Sequence, residues 1–250
     1  MNHQPRKRFG QNFLHDPQVI QRILSCIAPR PGQSLIEIGP GQGAITLPLL
    51  QAAGRLTVVE LDRDLVGPLA ERCRNVGELH ILNQDALKVD FCALAPTAPT
   101  AALRIVGNLP YNISTPLLFH LAHQARRIRD MHFMLQLEVV DRMVAAPSTA
   151  AYGRLSVALQ AGFRMKKLFN VPRGAFRPPP KVESAVVRME PLLDPLRIDE
   201  ALLRRAFSAR RKTLRNALPG VDFAALGLDA GLRPENLSPE DYARISACAR

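Results

Sequence analysis

The sequence lacks the features that mark secreted, membrane-spanning and metal-stabilised proteins. No apolar segment follows the basic start MNHQPRKRFGQNF, so the pattern does not fit a secretory signal. No run approaches the roughly 18 apolar residues that a membrane-spanning helix needs. The four cysteines are scattered without a CxxC pair, and the six histidines form no convincing ligand set. We therefore expect a cytoplasmic protein with reduced thiols, no disulfide framework and no metal.

Acidic residues are also scarce relative to basic ones. Asp and Glu total 22 against 33 Lys and Arg, which gives a formal net charge of +11 and a sequence pI of about 10.2. A large positive excess favours solubility, but more often it indicates a polyanionic partner. A membrane surface suits the pattern less well, because no basic amphipathic helix carries bulky aromatic anchors. We expect a nucleic acid.

The pattern of apolar segments predicts an α/β fold. Short β-branched or Leu-rich runs alternate with helical stretches, which is typical of parallel strands covered by helices on both faces. Ligands of such doubly wound sheets bind beyond the carboxyl ends of the strands. The expected strands lie at 34–39, 55–61, 79–85, 103–109, 132–138 and 184–190.

A composition break at 189–199 divides the chain. We expect a large domain over 1–192, opening with a basic segment at 1–16, and a small helical domain over 193–250. Residues 200–218 are expected to form one long helix, on which Arg204, Arg211 and Arg215 line a ridge. That ridge is either a phosphate-contacting surface or a solvated charged face.

A glycine-rich segment, IEIGPGQG, follows the first strand. Gly39, Gly41 and Gly43 allow a tight turn and close approach of backbone to a ligand. The pattern also fits a dinucleotide site or a plain strand-to-helix turn. Glu37 argues against a pyrophosphate, because its carboxylate would repel phosphate but tolerate the ammonium and sulfonium of S-adenosylmethionine.

Two further carboxylates end the next strands. Glu60 can accept both hydroxyls of a ribose, a role also known in dinucleotide enzymes. Asp85 can accept the exocyclic amine of an adenine, or it can cap a helix, and the two roles are compatible. Together with the glycines, these residues predict an adenosyl cofactor without phosphates.

The fourth strand ends in Asn108-Leu109-Pro110-Tyr111. An adenine N6 amine is a poor nucleophile, because its lone pair is delocalised into the ring. Acceptors for its two hydrogens would draw it toward tetrahedral geometry. The Asn108 amide oxygen and the Leu109 carbonyl are suitable, since a residue before proline is held extended. Tyr111 would offer a ring for base stacking; the alternative is a proline turn with a core tyrosine.

A proline-rich segment, GAFRPPPKVES, follows later in the chain. Consecutive prolines form a stiff extended backbone, so we expect Phe176 to stack on the target base opposite Tyr111. The alternative is a structural linker. Lys7 and Arg8 are candidate phosphate contacts, unless they belong to a disordered tail.

Eight motifs in order resemble the ribosomal RNA adenine dimethyltransferases, specifically the small-subunit enzymes of the KsgA/RsmA family. They are RFGQNFL, EIGPGQGAIT, VVELDRDL, QDAL, GNLPYNIST, YGRLSV, FRPPPKVESAVVR and ARRKTLRNAL. The resemblance implies a Rossmann-like class I methyltransferase domain and a C-terminal helical domain. It implies transfer of four methyl groups to two adjacent adenosines near the 3′ end of 16S RNA. The cofactor contacts that it implies are Asn12, Leu14, Gly39, Glu60, Asp85 and Asn108.

Two departures from the family pattern are visible, at Leu137, where the family usually has Lys, and in the loop APSTAAYG. Three other functions remain possible at this stage. One is a related 23S enzyme of macrolide resistance, disfavoured by RRKTLRN and FRPPPKVES. Another is a non-catalytic RNA-binding or ribosome assembly factor, which need not keep every cofactor residue. The last is a DNA adenine methyltransferase, which should carry a separate recognition domain.

Overall fold

The computed structural model describes residues 11–95 and 102–248 of the chain. Within these ranges the strands are β1 (Phe13–Leu14), β2 (Leu35–Ile38), β3 (Arg55–Val59), β4 (Glu78–Leu82), β5 (Leu103–Asn108), β6 (Ile128–Gln136), β7 (Phe163–Val171), β8 (Phe176–Arg177) and β9 (Ser184–Pro191). The helices are α1 (Pro17–Ile27), α2 (Thr46–Ala53), α3 (Arg63–Cys73), α4 (Ser114–His123), α5 (Leu137–Met143), α6 (Arg154–Gln160), α7 (Glu200–Ser208), α8 (Leu214–Ala217) and α9 (Pro239–Cys248). No helix in the described ranges is long and apolar enough to cross a membrane.

The described strands form one seven-stranded sheet and one two-stranded ribbon. The sheet order is β4-β3-β2-β5-β6-β9-β7, and the ribbon pairs β1 with β8. Strands β2 to β6 run parallel, whereas β9 is antiparallel to β6. This arrangement confirms the predicted α/β fold, and it brings the carboxyl ends of β2 to β5 to one edge.

Buried apolar side chains explain why the central strands form. All four residues of β2 are buried, as expected for a strand covered on both faces. On α1, Val19, Ile23 and Ile27 recur every four residues and face the core. The Asp16 side chain caps this helix by accepting the N–H groups of Gln18 and Val19.

A buried ion pair ties the end of α1 to the sheet. Arg104 donates through Nε to Asp130 Oδ1 at 2.9 Å and through Nη2 to the Ile27 carbonyl at 2.6 Å. Both ionic side chains are at least 93% buried. The guanidinium thus satisfies a carbonyl that the helix end leaves unpaired.

The structure consists of two compact units. In the described residues, the first comprises 11–140 and 166–190, and the second comprises 141–165 and 191–248. The second segment of the second unit therefore begins close to the boundary expected at 192. The same unit also includes residues 141–165, which were expected in the large domain. Its core includes Tyr152 and Tyr242, which are fully buried.

The uninterrupted helix expected over 200–218 is wrong. Helix α7 ends at Ser208, and α8 begins at Leu214. In the turn between them, Arg210 donates to Glu235 Oε2 at 2.5 Å and to the Ala150 carbonyl at 3.1 Å. These contacts within the second unit override the helical propensity of the intervening residues.

Candidate active site

A cleft opens at the carboxyl ends of β2, β3, β4 and β5. Its empty space is about 1070 Å³, open solvent included. Every sequence-predicted cofactor residue lines it: Asn12, Leu14, Gly39, Gly41, Glu60, Asp85 and Asn108. Leu109, Pro110 and Tyr111 line it as well. Of the residues predicted for catalysis and cofactor binding, one cleft thus holds all except Phe176 and the loop residue Gly43.

The loop between β2 and α2 forms the floor of the cleft. Gly39, Gly41 and Gly43 all adopt positive φ angles, which favour glycine. A Cβ atom on Gly41 would lie 3.1 Å from the ring of Phe13. Glycine at 41 therefore allows both the backbone turn and the close packing of the N-terminal segment over it.

Glu60 holds the loop and the following turn together. Its Oε2 atom accepts the N–H of Gly41 at 3.2 Å, and its Oε1 atom accepts the N–H of Asp62 at 2.8 Å. Burial raises the pKa of Glu60, and these two backbone N–H groups oppose the rise. Each carboxylate oxygen retains a second lone pair, so the side chain can still accept hydroxyl groups from a ligand.

Glu37 is the most unusual carboxyl group of the cleft. It is 1% exposed, and its Oε2 atom has no hydrogen-bond partner in the described residues. Burial, with the negative charge of Glu60 acting in the same direction, raises the pKa of Glu37 to about 8. Because an unpaired buried carboxyl is unfavourable, a cationic group in the cleft would compensate for it.

Asp85 lies three residues beyond the end of β4 and caps the short 3₁₀ turn Ala86–Lys88. One of its carboxylate oxygens, Oδ1, accepts the N–H of Leu87 at 3.0 Å. The capping alternative is therefore present in the structure. The same residue lines the cleft, so capping and ligand binding remain compatible.

The end of β5 is held in place by three neighbouring segments. Asn108 donates from its amide nitrogen to the Asn12 carbonyl at 3.1 Å, which leaves the amide oxygen as its acceptor. Leu109 donates its N–H to the Met134 carbonyl on β6 at 3.1 Å. The Pro110 carbonyl accepts from the Ser114 hydroxyl at 2.9 Å and closes the turn into α4.

Tyr111 follows in that turn, partly exposed to the cleft. Its hydroxyl lies 2.7 Å from the Ser184 hydroxyl at the start of β9. Burial raises the pKa of Tyr111, so the phenol stays protonated at neutral pH. The Tyr111 side chain is thus fixed at its backbone by the turn and at its hydroxyl by Ser184.

The N-terminal segment covers part of the cleft. Gln11 donates to Asp62 Oδ2 at 2.9 Å, and Leu14 is buried and pairs with Phe176 in the ribbon. Residues 11–14 all line the cleft. Of the expected basic segment, residues 1–10, including Lys7 and Arg8, lie outside the described residues.

Phe176 is the predicted site residue that the structure places elsewhere. Its side chain is 2% exposed and packs in the core cluster that contains Leu14, Val19 and Ile23. Pairing of β8 with β1 turns this ring inward, so the prolines do not hold it over an open site as expected. In this arrangement Phe176 does not face Tyr111 across the cleft.

Several cleft residues were missed by the sequence analysis. Gln11, Leu61, Gln84 and Asn112 also line the cleft. Each directly neighbours a residue that was selected, so extending each motif by one position would have found them. Ser184 carried no local signal, because its partner Tyr111 lies 73 positions away.

The basic residues of 204–215 divide into two classes. Arg204, Arg205, Arg211, Lys212 and Arg215 are exposed. Arg210 is half-buried and bonded to Glu235 and Ala150. The exposed members remain candidate phosphate contacts, and Arg210 has a structural role.

Comparison with known sequences gives consistent matches over nearly the whole chain. The family described as "Ribosomal RNA adenine dimethylase" matches residues 2–249. "Ribosomal RNA small subunit methyltransferase A" of Aromatoleum aromaticum is 58% identical, over 98% of this chain and 94% of that protein. The protein of the same name from Thiobacillus denitrificans is 55% identical, over 98% of both chains.

Solved structures share the architecture. A dimethyladenosine transferase from Plasmodium falciparum superposes with a TM-score of 0.77 at 24% identity, covering 93% of this chain and 95% of that one. The 23S rRNA methyltransferase ErmE superposes with a TM-score of 0.69 at 27% identity, covering 94% and 98%. A phosphoethanolamine N-methyltransferase from Haemonchus contortus, crystallised with S-adenosylhomocysteine, has a TM-score of 0.51 at 13% identity, covering 89% and 54%.

Proposed function

Because the chain belongs to the ribosomal RNA adenine dimethylase family, we propose that it methylates N6 of two adjacent adenosines in the 3′-terminal hairpin loop of 16S RNA. The methyl donor is S-adenosylmethionine, and the products are N6,N6-dimethyladenosines. The observation that carries this proposal is the single cleft that joins a glycine loop, strand-end carboxylates and Asn108-Leu109-Pro110-Tyr111.

The cleft residues fit S-adenosylmethionine. Glu60 has lone pairs for the ribose hydroxyls, and Asp85 for the adenine amine. The unpaired Oε2 of Glu37 supports a cationic ligand and disfavours the anionic pyrophosphate of a dinucleotide. When bound, S-adenosylmethionine supplies a methyl group activated by the positive charge of its sulfur.

Catalysis in this proposal is positioning of the target amine. The Asn108 amide oxygen and the Leu109 carbonyl accept the two N6 hydrogens, while Tyr111 stacks on the ring. The Pro110 carbonyl is already engaged by Ser114, which supports Leu109 as the second acceptor. No strong base is required, because the alkylated amine readily loses its proton to solvent. Holding reacting groups in line can contribute several powers of ten in rate.

Phe176 takes a different part in the proposal from the one expected. Its packing against Leu14 supports a role in holding the ribbon, and hence residues 11–14, over the cofactor side of the cleft. A stacking contact with the target base would require β8 to separate from β1.

RNA binding is assigned to exposed cations. Arg204, Arg211, Lys212 and Arg215 of the second unit are exposed, and the net charge of +11 suits a polyanionic partner. A loop adenosine is a suitable target, because an unpaired base leaves its stack at low cost. We place the reaction on the small subunit or its precursor.

The test is a methylation assay with labelled S-adenosylmethionine and two substrates, unmethylated small subunits and large-subunit RNA. Label in the small subunit supports the proposal. Label only in large-subunit RNA would instead indicate a 23S RNA methyltransferase of the macrolide-resistance type. Binding of small subunits without label would indicate a non-catalytic assembly factor.

A further inference from the structure

Ser184 is a buried polar residue that the proposed mechanism does not yet use. It is 0% exposed and opens β9, where the next three residues, Ala185, Val186 and Val187, are apolar and buried. A buried hydroxyl needs a hydrogen-bond partner, and serine has no packing advantage over alanine at such a position. Its partner is Tyr111, which lines the cleft.

The topology explains how the start of a late strand reaches Tyr111. The antiparallel β9 begins at the sheet edge where the parallel strands end, since Ser184 pairs with Gln136, the last residue of β6. The Tyr111 side chain therefore reaches from the end of β5, across the end of β6, to the start of β9. The Leu137 N–H bond to the Glu183 carbonyl, at 2.9 Å, fixes this start against the chain that leaves β6.

Tyr111 needs such a tether. It lies in the turn between β5 and α4, outside both elements, and it is only partly buried. A tyrosine ring attached to a turn can change rotamer unless its far end is held. The 2.7 Å contact between the two hydroxyls holds the far end, while the Asn108-Leu109-Pro110 backbone holds the near end.

We propose that Ser184 is a positioning residue, whose hydroxyl fixes the Tyr111 ring at the angle at which the target adenine stacks with its amine between Asn108 and Leu109. The inference rests on the proposed function. It also assigns a role to the end of the proline-rich segment. The Arg173 bond to the Pro180 carbonyl, at 2.6 Å, braces that segment, which then places Ser184 beside the Tyr111 hydroxyl.

The test removes the same hydrogen bond from each side. Ser184→Ala deletes one hydroxyl and Tyr111→Phe deletes the other but keeps the ring. We expect each variant to lower kcat/KM on unmethylated small subunits about three- to tenfold, the value of one neutral hydrogen bond. The double variant should have the same kcat/KM as the less active single variant, because each substitution removes the same hydrogen bond. Cofactor affinity, measured by calorimetry, should stay within about twofold of the wild type.

Ser246→Ala is the matched control. Ser246 is also buried and hydrogen-bonded, to the Tyr242 carbonyl and the Asp199 N–H, within the second unit. Its replacement should lower Tm and leave kcat/KM unchanged. If Ser184→Ala folds poorly, the kcat/KM of Tyr111→Phe alone tests the inference.

Three results would overturn the inference. They are wild-type kcat/KM in a folded Ser184→Ala protein, wild-type kcat/KM in Tyr111→Phe, and losses that multiply in the double variant. An inactive wild-type protein would refute the proposed function itself and the inference with it. An active wild type with an equally active Ser184→Ala variant would refute the inference alone.

Discussion

At the residue scale, the proposed mechanism depends on which atoms of the cleft already form hydrogen bonds within the protein. Asn108 donates its amide N–H to the Asn12 carbonyl, and the Pro110 carbonyl accepts the Ser114 hydroxyl at the start of α4. The Asn108 oxygen and the Leu109 carbonyl are left for a substrate. In the proposed mechanism these two acceptors, rather than a strong acid or base, act on the target amine.

Replacing Asn108 with alanine should remove the first acceptor. We expect methyl transfer to fall about a hundredfold or more, the usual effect of losing a preorganised polar contact. RNA affinity, measured by filter binding, should change little. Asn170→Ala, at an exposed position on β7, is the control and should behave as wild type. A large loss of RNA affinity in the Asn108 variant would contradict its assignment.

Glu37 should make the folded protein sensitive to pH. Its pKa is about 8 when folded, against an ordinary value of 4.5, so the folded state binds the proton more tightly. The stability that protonated Glu37 contributes to the folded state is fully present below about pH 4.5 and is lost as the pH rises through 8. Glu37→Gln should remove this loss and raise Tm at pH 8.5 more than at pH 5.5.

The same Glu37→Gln protein should bind S-adenosylmethionine more weakly, because it cannot ionise beside a cation. Thermal melts at the two pH values and calorimetry measure both effects. Equal Tm shifts at both pH values would show that Glu37 does not titrate as described. Undiminished cofactor affinity would show that Glu37 does not interact with the cofactor cation.

At the element scale, the sequence predicted the parallel strands and the antiparallel β9 well, but it did not predict β7 or the ribbon of β1 and β8. Strands such as β2 are continuous apolar runs, so their burial is visible locally. Strand β7 was missed because Lys166 and Lys167 interrupt its alternation. The ribbon was missed because two-residue strands carry no periodicity, and the position of Phe176 depends on that ribbon. The Ser184 contact depends on strand order, which local patterns do not encode.

The loop between β2 and α2 can be tested through its contact with the ribbon. Gly41→Ala places a Cβ atom 3.1 Å from the Phe13 ring and imposes a positive φ on alanine. Gly54→Ala imposes similar strain with no atom within 4 Å. Both should lose about 1 kcal/mol of stability, but only Gly41→Ala should weaken cofactor binding, by about tenfold. Equal cofactor affinities would refute the contact's importance.

At the scale of the whole molecule, the charge excess should govern RNA affinity. We expect log affinity to fall steeply and linearly with log salt concentration. The pair Arg211→Ala and Lys212→Ala should reduce that slope by about one to two without lowering Tm. Arg210→Ala should instead lower Tm, since it breaks the bonds to Glu235 and Ala150. A flat salt titration would count against phosphate contacts.

The proposed function requires that this protein dimethylate adenosines of the small subunit. The most direct measurement is mass spectrometry of nucleosides from 16S RNA after incubation of unmethylated small subunits with the protein and S-adenosylmethionine. We expect N6,N6-dimethyladenosine at two adjacent loop positions. Methylation at another atom or another nucleoside, or accumulation of only monomethyladenosine, would contradict it.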